Sequence, residues 1–326
     1  MLKIVTVVAL LLVATPLAVE AQQSGKVPRL AVFWASTMAS ASSNDEAFKQ
    51  GLRERGYVEG QNIVLERRYG DARVERMAEI AAELVRMKAD VIVASSDPAI
   101  AAIKRQTQSI PIVMVNSSDP VGTGFVASLA RPGGNITGTS SMSPELSAKR
   151  LELLREVIPG LSRLAVMWNP DVRGALLDYK GLEGPARSLG VQLQSIEVTH
   201  ADDFARAFSA ISDARAEALI VITPNPVAVA NRGQFIGFVQ RTRLPSVYGA
   251  QSYVDAGGLM AYGTNQTELW RRATTYVDKI LKGAKPADLP VEQPTRFDLI
   301  INLKAAKAIG LTIPPSVLRR ADRVIQ

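Results

Sequence analysis

Short runs that are apolar at every position alternate along this chain with stretches whose apolar residues recur at helical spacing. Leu30-Ala-Val-Phe-Trp34 reads as a strand buried on both faces. The stretch 44–56 then places Ala47, Phe48, Gly51 and Leu52 on one stripe until Gly56 stops it. Further strands are predicted at Ile63 to Tyr69, Asp90 to Ala94 and Ile110 to Val115, with helices over 73–88 and 98–107 between them. Strands apolar on both faces and separated by helices require a parallel sheet covered on both sides.

The pattern then restarts. A helix over 145–158 carries Leu146, Leu151, Leu154 and Val157 on one stripe, closes at Pro159-Gly160, and leads into Arg163-Leu-Ala-Val-Met-Trp168. That segment matches Arg29-Leu-Ala-Val-Phe-Trp34, and each opens a new αβ series. In the second series the strands are predicted near Val191–Val198, Ala218–Ile222 and Leu244–Tyr248, and the helices near 174–189, 202–214 and 228–242. Two similar doubly wound α/β lobes are the economical reading. The segments Pro132 to Ser141 and Asp255 to Gly258 are rich in residues that permit unusual backbone angles and read as connections between lobes. A strongly amphipathic helix over 266–282 follows, carrying Leu269, Trp270, Ala273, Val277 and Ile280. The division expected is 1–21 as a signal peptide, 27–141 plus 264–288 as the first lobe, and 142–263 plus 289–326 as the second.

The N-terminus changes the compartment. Lys3 precedes an apolar run from Ile4 to Ala14, too short for the ~20 residues of a membrane-spanning helix. Small residues ending Val19-Glu20-Ala21 follow, the pattern of a cleavable secretory signal cut after Ala21. The expected location is a bacterial periplasm. With no cysteine in 326 residues, disulfides, thiolate nucleophiles, Cys-based zinc sites and a lipidated N-terminal cysteine are all excluded. The net charge of +7 is scattered over paired arginines such as Arg67-Arg68 and Arg319-Arg320, without the concentrated stripe of a nucleic-acid surface.

In open parallel sheets, ligands bind beyond the carboxyl ends of the strands, where helix N-termini present unpaired N–H groups. The residues in that position form a series: Ser95-Ser96-Asp97-Pro98, Ser117-Ser118-Asp119-Pro120, Asn169-Pro170 and Thr223-Pro224-Asn225-Pro226. Each also fits a helix cap followed by proline. With Ser36 and Ser140, and with Trp34, Tyr248 and Tyr253 as stacking surfaces, they are the candidate ligand contacts. Such a set suits a zwitterion, its carboxylate taken by hydroxyls and backbone N–H groups and its ammonium by Asp97 or Asp119. Catalytic chemistry has little to work with. His200 is the sole histidine and precedes a helix cap. Gly122-Thr-Gly124-Phe-Val-Ala127 follows the fourth strand instead of the first, which argues against a dinucleotide site. No cofactor or metal is expected.

Several segments carry a specific likeness: Asp90-Val-Ile-Val-Ala94, Ile110-Pro-Ile-Val113, Asp119-Pro-Val-Gly122, Ser128-Leu-Ala-Arg-Pro-Gly-Gly-Asn-Ile-Thr-Gly138 and Glu145-Leu-Ser-Ala-Lys-Arg-Leu-Glu-Leu-Leu154. Asp255-Ala-Gly-Gly-Leu-Met-Ala-Tyr-Gly263, the stretch from Tyr276 to Phe297 and the stretch from Ile301 to Pro315 complete it. Together they resemble the ABC-transporter substrate-binding protein family that includes tryptophan-binding members. The resemblance implies a type 1 periplasmic-binding fold with three crossings between lobes, a monomer, and a membrane permease with a separate ATPase as partners. It leaves the solute open, an amino acid or related small polar or aromatic molecule being the expectation. A sensory module on the same fold and a periplasmic enzyme are the alternatives. A DNA-binding regulator is disfavoured, because a secretion signal stands where its helical domain would be.

Overall fold

The computed structural model describes residues 26–222 and 225–326, so the expected signal peptide lies outside the described residues, as does Thr223. The first lobe runs β1 (Arg29–Trp34), α1 (Met38–Arg53), β2 (Val64–Tyr69), α2 (Val74–Arg86), β3 (Val91–Ser95), α3 (Ser96–Gln106), β4 (Ile112–Ser117) and β5 (Ile136–Ser140). Its five strands are all parallel, in the order β2-β1-β3-β4-β5. Strand alternation divides β1 between two cores. Leu30, Val32 and Trp34 pack on one face of the sheet and Ala31 and Phe33 on the other.

The second lobe runs α4 (Ser143–Val157), β6 (Arg163–Trp168), α5 (Arg173–Ser188), β7 (Gln192–Glu197), α6 (Asp203–Asp213), β8 (Ala218–Val221), α7 (Pro226–Ala230), α8 (Arg232–Arg241), β9 (Ser246–Tyr248), α9 (Gln251–Asp255) and β10 (Met260–Gly263). After β10 come α10 (Gln266–Leu281), β11 (Asp298–Asn302), α11 (Leu303–Ile309), α12 (Pro315–Leu318) and β12 (Arg323–Ile325). The second sheet has the order β12-β11-β10-β9-β8-β6-β7. The matched segments are structural equivalents: β1 lies between β2 and β3, and β6 lies between β7 and β8 with the same burial along its length.

The chain passes between lobes three times. It leaves the first sheet after β5, returns after β10 so that α10 packs on α1, β3, β4 and β5, and crosses again before β11. The crossings are tied to one another. Ser140 N–H donates to the Glu292 carbonyl at 2.9 Å, and Asn265 Nδ2 donates to Asp298 Oδ2 at 3.2 Å.

Four features differ from the sequence reading. The glycine-rich segment before Ser141 contains a fully buried strand, β5, with Gly138 at φ +135° where a Cβ would strike the Met114 backbone. The helix expected over 228–242 is two helices that break at Asn231. A short helix, α9, follows β9. Finally, β11 runs antiparallel to β10, because the chain enters it from the hinge and not from a crossover helix, so the second sheet is mixed.

Candidate ligand-binding site

A cavity of about 340 Å³ lies between the lobes at the carboxyl ends of the strands, a size within the ~300–1,000 Å³ usual for small-molecule sites. The first lobe supplies Trp34, Ser36, Ser95, Ser96 and Asn116, and the first turns of α10 supply Gln266, Thr267 and Trp270. The opposite bank is Asn225 and Pro226 at the start of α7, Gly249 and Ala250 between β9 and α9, Gln251, Ser252 and Asp255 of α9, and Asp298 and Ile300 of β11.

Local structure explains how these side chains arrive. Trp34 ends β1 on the face covered by α10, where it stacks on Trp270 with ring centroids 3.7 Å apart and planes at 25°. Phe48 of α1 meets Trp270 edge-on at 5.5 Å. Ser95 Oγ accepts the Ala35 N–H at 3.0 Å and so ties the end of β3 to the end of β1. Ser96 and Asn116 both hold left-handed backbone, at φ +61° and +62°, a conformation that costs a non-glycine residue free energy and clusters at functional positions. Asn116 Oδ1 accepts from Gln266 Nε2 at 3.2 Å. Asn225 Oδ1 accepts the Ala228 N–H at 3.0 Å, which caps α7 and fixes the amide.

Three buried polar atoms at this cavity have no partner within the protein: Trp34 Nε1, Ser96 Oγ and Asn225 Nδ2. Leaving a buried donor or acceptor unsatisfied costs about 1–3 kcal/mol each, so three such atoms around one cavity point to a polar solute. The indole and amide nitrogens can only donate. Charge is one-sided as well. Among the described residues the lining holds the carboxylates Asp255 and Asp298 but neither lysine nor arginine. Their cationic partners stand behind the wall, Arg323 at 3.5 Å from Asp255 and Arg296 at 3.4 Å from Asp298.

Of the described residues singled out from sequence, Trp34, Ser36, Ser95, Ser96 and Asn225 meet at this cavity, and the remaining described ones lie outside its lining. Asp97 is buried and accepts hydrogen bonds from Ser117 Oγ at 2.8 Å, from the Ser118 N–H at 3.2 Å and from Ser118 Oγ. Burial pushes its pKa above the usual aspartate value although these bonds pull it down. Asp119 Oδ1 accepts the N–H groups of Val121 and Gly122 at 3.2 and 2.8 Å, shaping a local turn. Ser140 Oγ accepts the Met142 N–H at 3.1 Å, and Asn169 Oδ1 accepts the Asp171 N–H at 2.9 Å.

Tyr248 and Tyr253 stack on each other at 4.7 Å inside the second lobe's core, where burial raises both phenol pKa values. The two tryptophans of the matched strands also diverge. Trp168 stacks on Tyr179 and donates to Ser195 Oγ at 2.7 Å, whereas the Trp34 nitrogen is left unpaired at the cavity. Trp270, Asn116, Gln266, Asp255 and Asp298 were not singled out as contacts from sequence. The signal available was their position directly beside the glycine-rich crossings and the end of β4. No group of three or more His, Asp or Glu side chains fit to hold a metal ion occurs among the described residues.

Two lobes with polar and aromatic side chains converging on an interlobe cavity define a solute-binding protein. The chain belongs to the family of ABC transporter substrate binding proteins, whose model matches residues 36–325. Members bind a transported solute and are not enzymes; the family is extracytoplasmic, and no helix among the described residues is long and apolar enough to cross a membrane.

A tyrosine-binding protein of Clostridioides difficile is 27% identical over 267 residues, 82% of this chain and 76% of that one. A domain from Streptococcus pneumonia in complex with L-Trp overlays with a TM-score of 0.86 at 24% identity, covering 92% of this chain and all of that one. The ligand-free, open structure of a substrate binding protein with adhesive properties from Clostridium difficile overlays with a TM-score of 0.65 at 25% identity and the same coverage.

Proposed function

We propose that this protein captures a free amino acid with a flat side chain in the periplasm and presents it to a membrane permease driven by a separate ATPase. The observation that carries this reading is that the residues of three unpartnered buried polar atoms and two carboxylates line one cavity. Trp34 Nε1 and Asn225 Nδ2 call for acceptor oxygens, and Asp255 and Asp298, each already paired with an arginine, keep acceptor lone pairs that suit an ammonium. An α-amino acid offers both ends, and the Trp34–Trp270 stack offers an apolar wall. The tyrosine-binding relative and the L-Trp complex support the same solute class. The secretory pattern over 1–21 supports the compartment.

Capture proceeds by hinge closure of lobes formed by 27–141 plus 264–288 and by 142–263 plus 289–326, since residues of both line the cavity. The better overlay on the L-Trp complex than on the open relative fits a closed arrangement here. Only a solute that contacts both lobes favours the closed form, so affinity and closure are one equilibrium.

A thermal-shift panel of the twenty amino acids tests the reading. The aromatic members are expected to raise Tm, by about 2.7 kcal/mol of added stability at a hundredfold excess over Kd. No shift with any member overturns it. Ser96→Gly gives a sharper check, because glycine accepts the φ +61° backbone without strain and removes the unpartnered hydroxyl. The ligand-free variant is expected to be as stable as the parent or up to about 1 kcal/mol more so, while calorimetry reads a five- to twentyfold weaker Kd. Unchanged affinity removes Ser96 from the site.

A further inference from the structure

Asp97, Ser117 and Ser118 stand at strand ends but do not line the cavity. Their hydroxyls and carboxylate are bonded to one another in a buried knot on the first lobe's face. Across from that knot is the first turn of α5, which belongs to the second lobe. Gly174 there is buried, and a Cβ in its place would overlap Asp97 Oδ2 and Ser118 Oγ. The three nearest atoms that such a Cβ would meet all belong to the first lobe. The requirement for glycine at 174 therefore comes from the partner lobe and not from the helix itself. The same helix approaches the first lobe at two more points. Arg173 Nε donates to the Gly122 carbonyl at 3.0 Å, and the Leu177 Cδ1 methyl lies 2.9 Å from where a Gly122 Cβ would sit.

We infer that Gly174 sets solute affinity from outside the cavity, by letting the first turn of α5 seat on Asp97 and Ser118 and so hold the lobes shut. The inference rests on the closure reading above. The two halves of this seat lie on different lobes, so the contact exists only in the shut form and adds to its population. Apparent affinity scales with that population, so losing the seat weakens binding without touching a cavity residue. The seat is also electrostatically sound, because the Asp97 carboxylate meets the positive end of a 16-residue helix.

The test is Gly174→Ala in the full chain, titrated with L-tyrosine and L-tryptophan. Alanine is the better helix former, so the ligand-free Tm is expected to hold or rise, while Kd for whichever probe binds weakens at least tenfold. Adding Asp97→Ala and Ser118→Ala makes room for the new methyl. The triple variant is expected to bind within about threefold of the Asp97→Ala, Ser118→Ala double variant.

The chain has no cysteine of its own, so spin labels on Glu79→Cys and Glu183→Cys, both at exposed positions on different lobes, report closure directly. Their short-distance population is expected to shrink in Gly174→Ala. Parental affinity in Gly174→Ala, or a loss of equal size with and without the two truncations, overturns the inference. Should the parent protein bind neither probe, the functional reading fails on its own. The ligand-free distance distributions then decide this one, and identical distributions in parent and Gly174→Ala overturn it.

Discussion

Trp270→Ala is expected to abolish measurable solute binding and to cost about 3–5 kcal/mol of folding stability. Trp270 is 1% exposed and sits at the junction of three elements: its own helix α10, the end of β1 through the 3.7 Å stack on Trp34, and α1 through Phe48. Truncation leaves a cavity the surrounding helices cannot fill, because α10 is also held by the two chain crossings that flank it. It also removes half of the apolar wall of the solute cavity and frees Trp34 to turn. Trp270→Phe keeps a ring against Trp34 and is expected to retain most of the stability and part of the binding. Urea unfolding and calorimetry separate the two effects. A fully stable Trp270→Ala protein with parental affinity would remove the stacked pair from both core and site.

Arg150→Ala is the second large effect, expected at about 3–5 kcal/mol. This guanidinium is 1% exposed, and its Nε donates to the Tyr262 carbonyl of β10 at 2.8 Å while Nη1 donates to Ser147 Oγ at 3.2 Å. Burial pushes its pKa down to about 10, and the nearby Asp178 charge resists that fall. Asp178 accepts a hydrogen bond from Ser143 Oγ, and burial raises its own pKa well above 3.8, with Arg150 pulling the other way.

The sign of the pH dependence follows. A carboxyl whose folded pKa is raised contributes stability that is fully present below its unfolded pKa and is lost as pH rises through the folded one. Removing Arg150 raises that folded pKa further, because the ionised form loses a nearby cation. The variant's deficit is therefore expected to be larger at pH 8 than at pH 4, and a deficit independent of pH would separate Arg150 from Asp178. Because Tyr262 precedes Gly263 at the cavity wall, the loss also loosens β10 beside the solute.

The fold was largely legible because both lobes obey one rule: strands covered on two faces read as unbroken apolar runs. The match of Arg29-Leu-Ala-Val-Phe-Trp34 to Arg163-Leu-Ala-Val-Met-Trp168 announced the duplication, and both segments became central strands. What escaped is local in origin. β5 hides in a glycine-rich stretch because Gly138 is needed for close approach to the Met114 backbone, and a strand built on such contacts lacks an apolar run.

The cavity is harder to read than the fold, because equivalent strand ends have different roles. Ser95 and Ser96 face the cavity, whereas Ser117 and Ser118 close on Asp97, and nothing in the two Ser-Ser-Asp-Pro motifs distinguishes them. How the lobes are set against each other decides which end is left open. Trp270 sits on a helix stripe whose periodicity reports burial but not which neighbour it is buried against.

The most direct measurement is a crystal structure of the protein saturated with the amino acid that gives the largest thermal shift. That solute is expected in the interlobe cavity, its carboxylate within hydrogen-bond reach of Trp34 Nε1 and Asn225 Nδ2, its ammonium toward Asp255 or Asp298, and its side chain against the Trp34–Trp270 pair. Solute bound elsewhere with this cavity empty, or bound between lobes that have not shut, would contradict it.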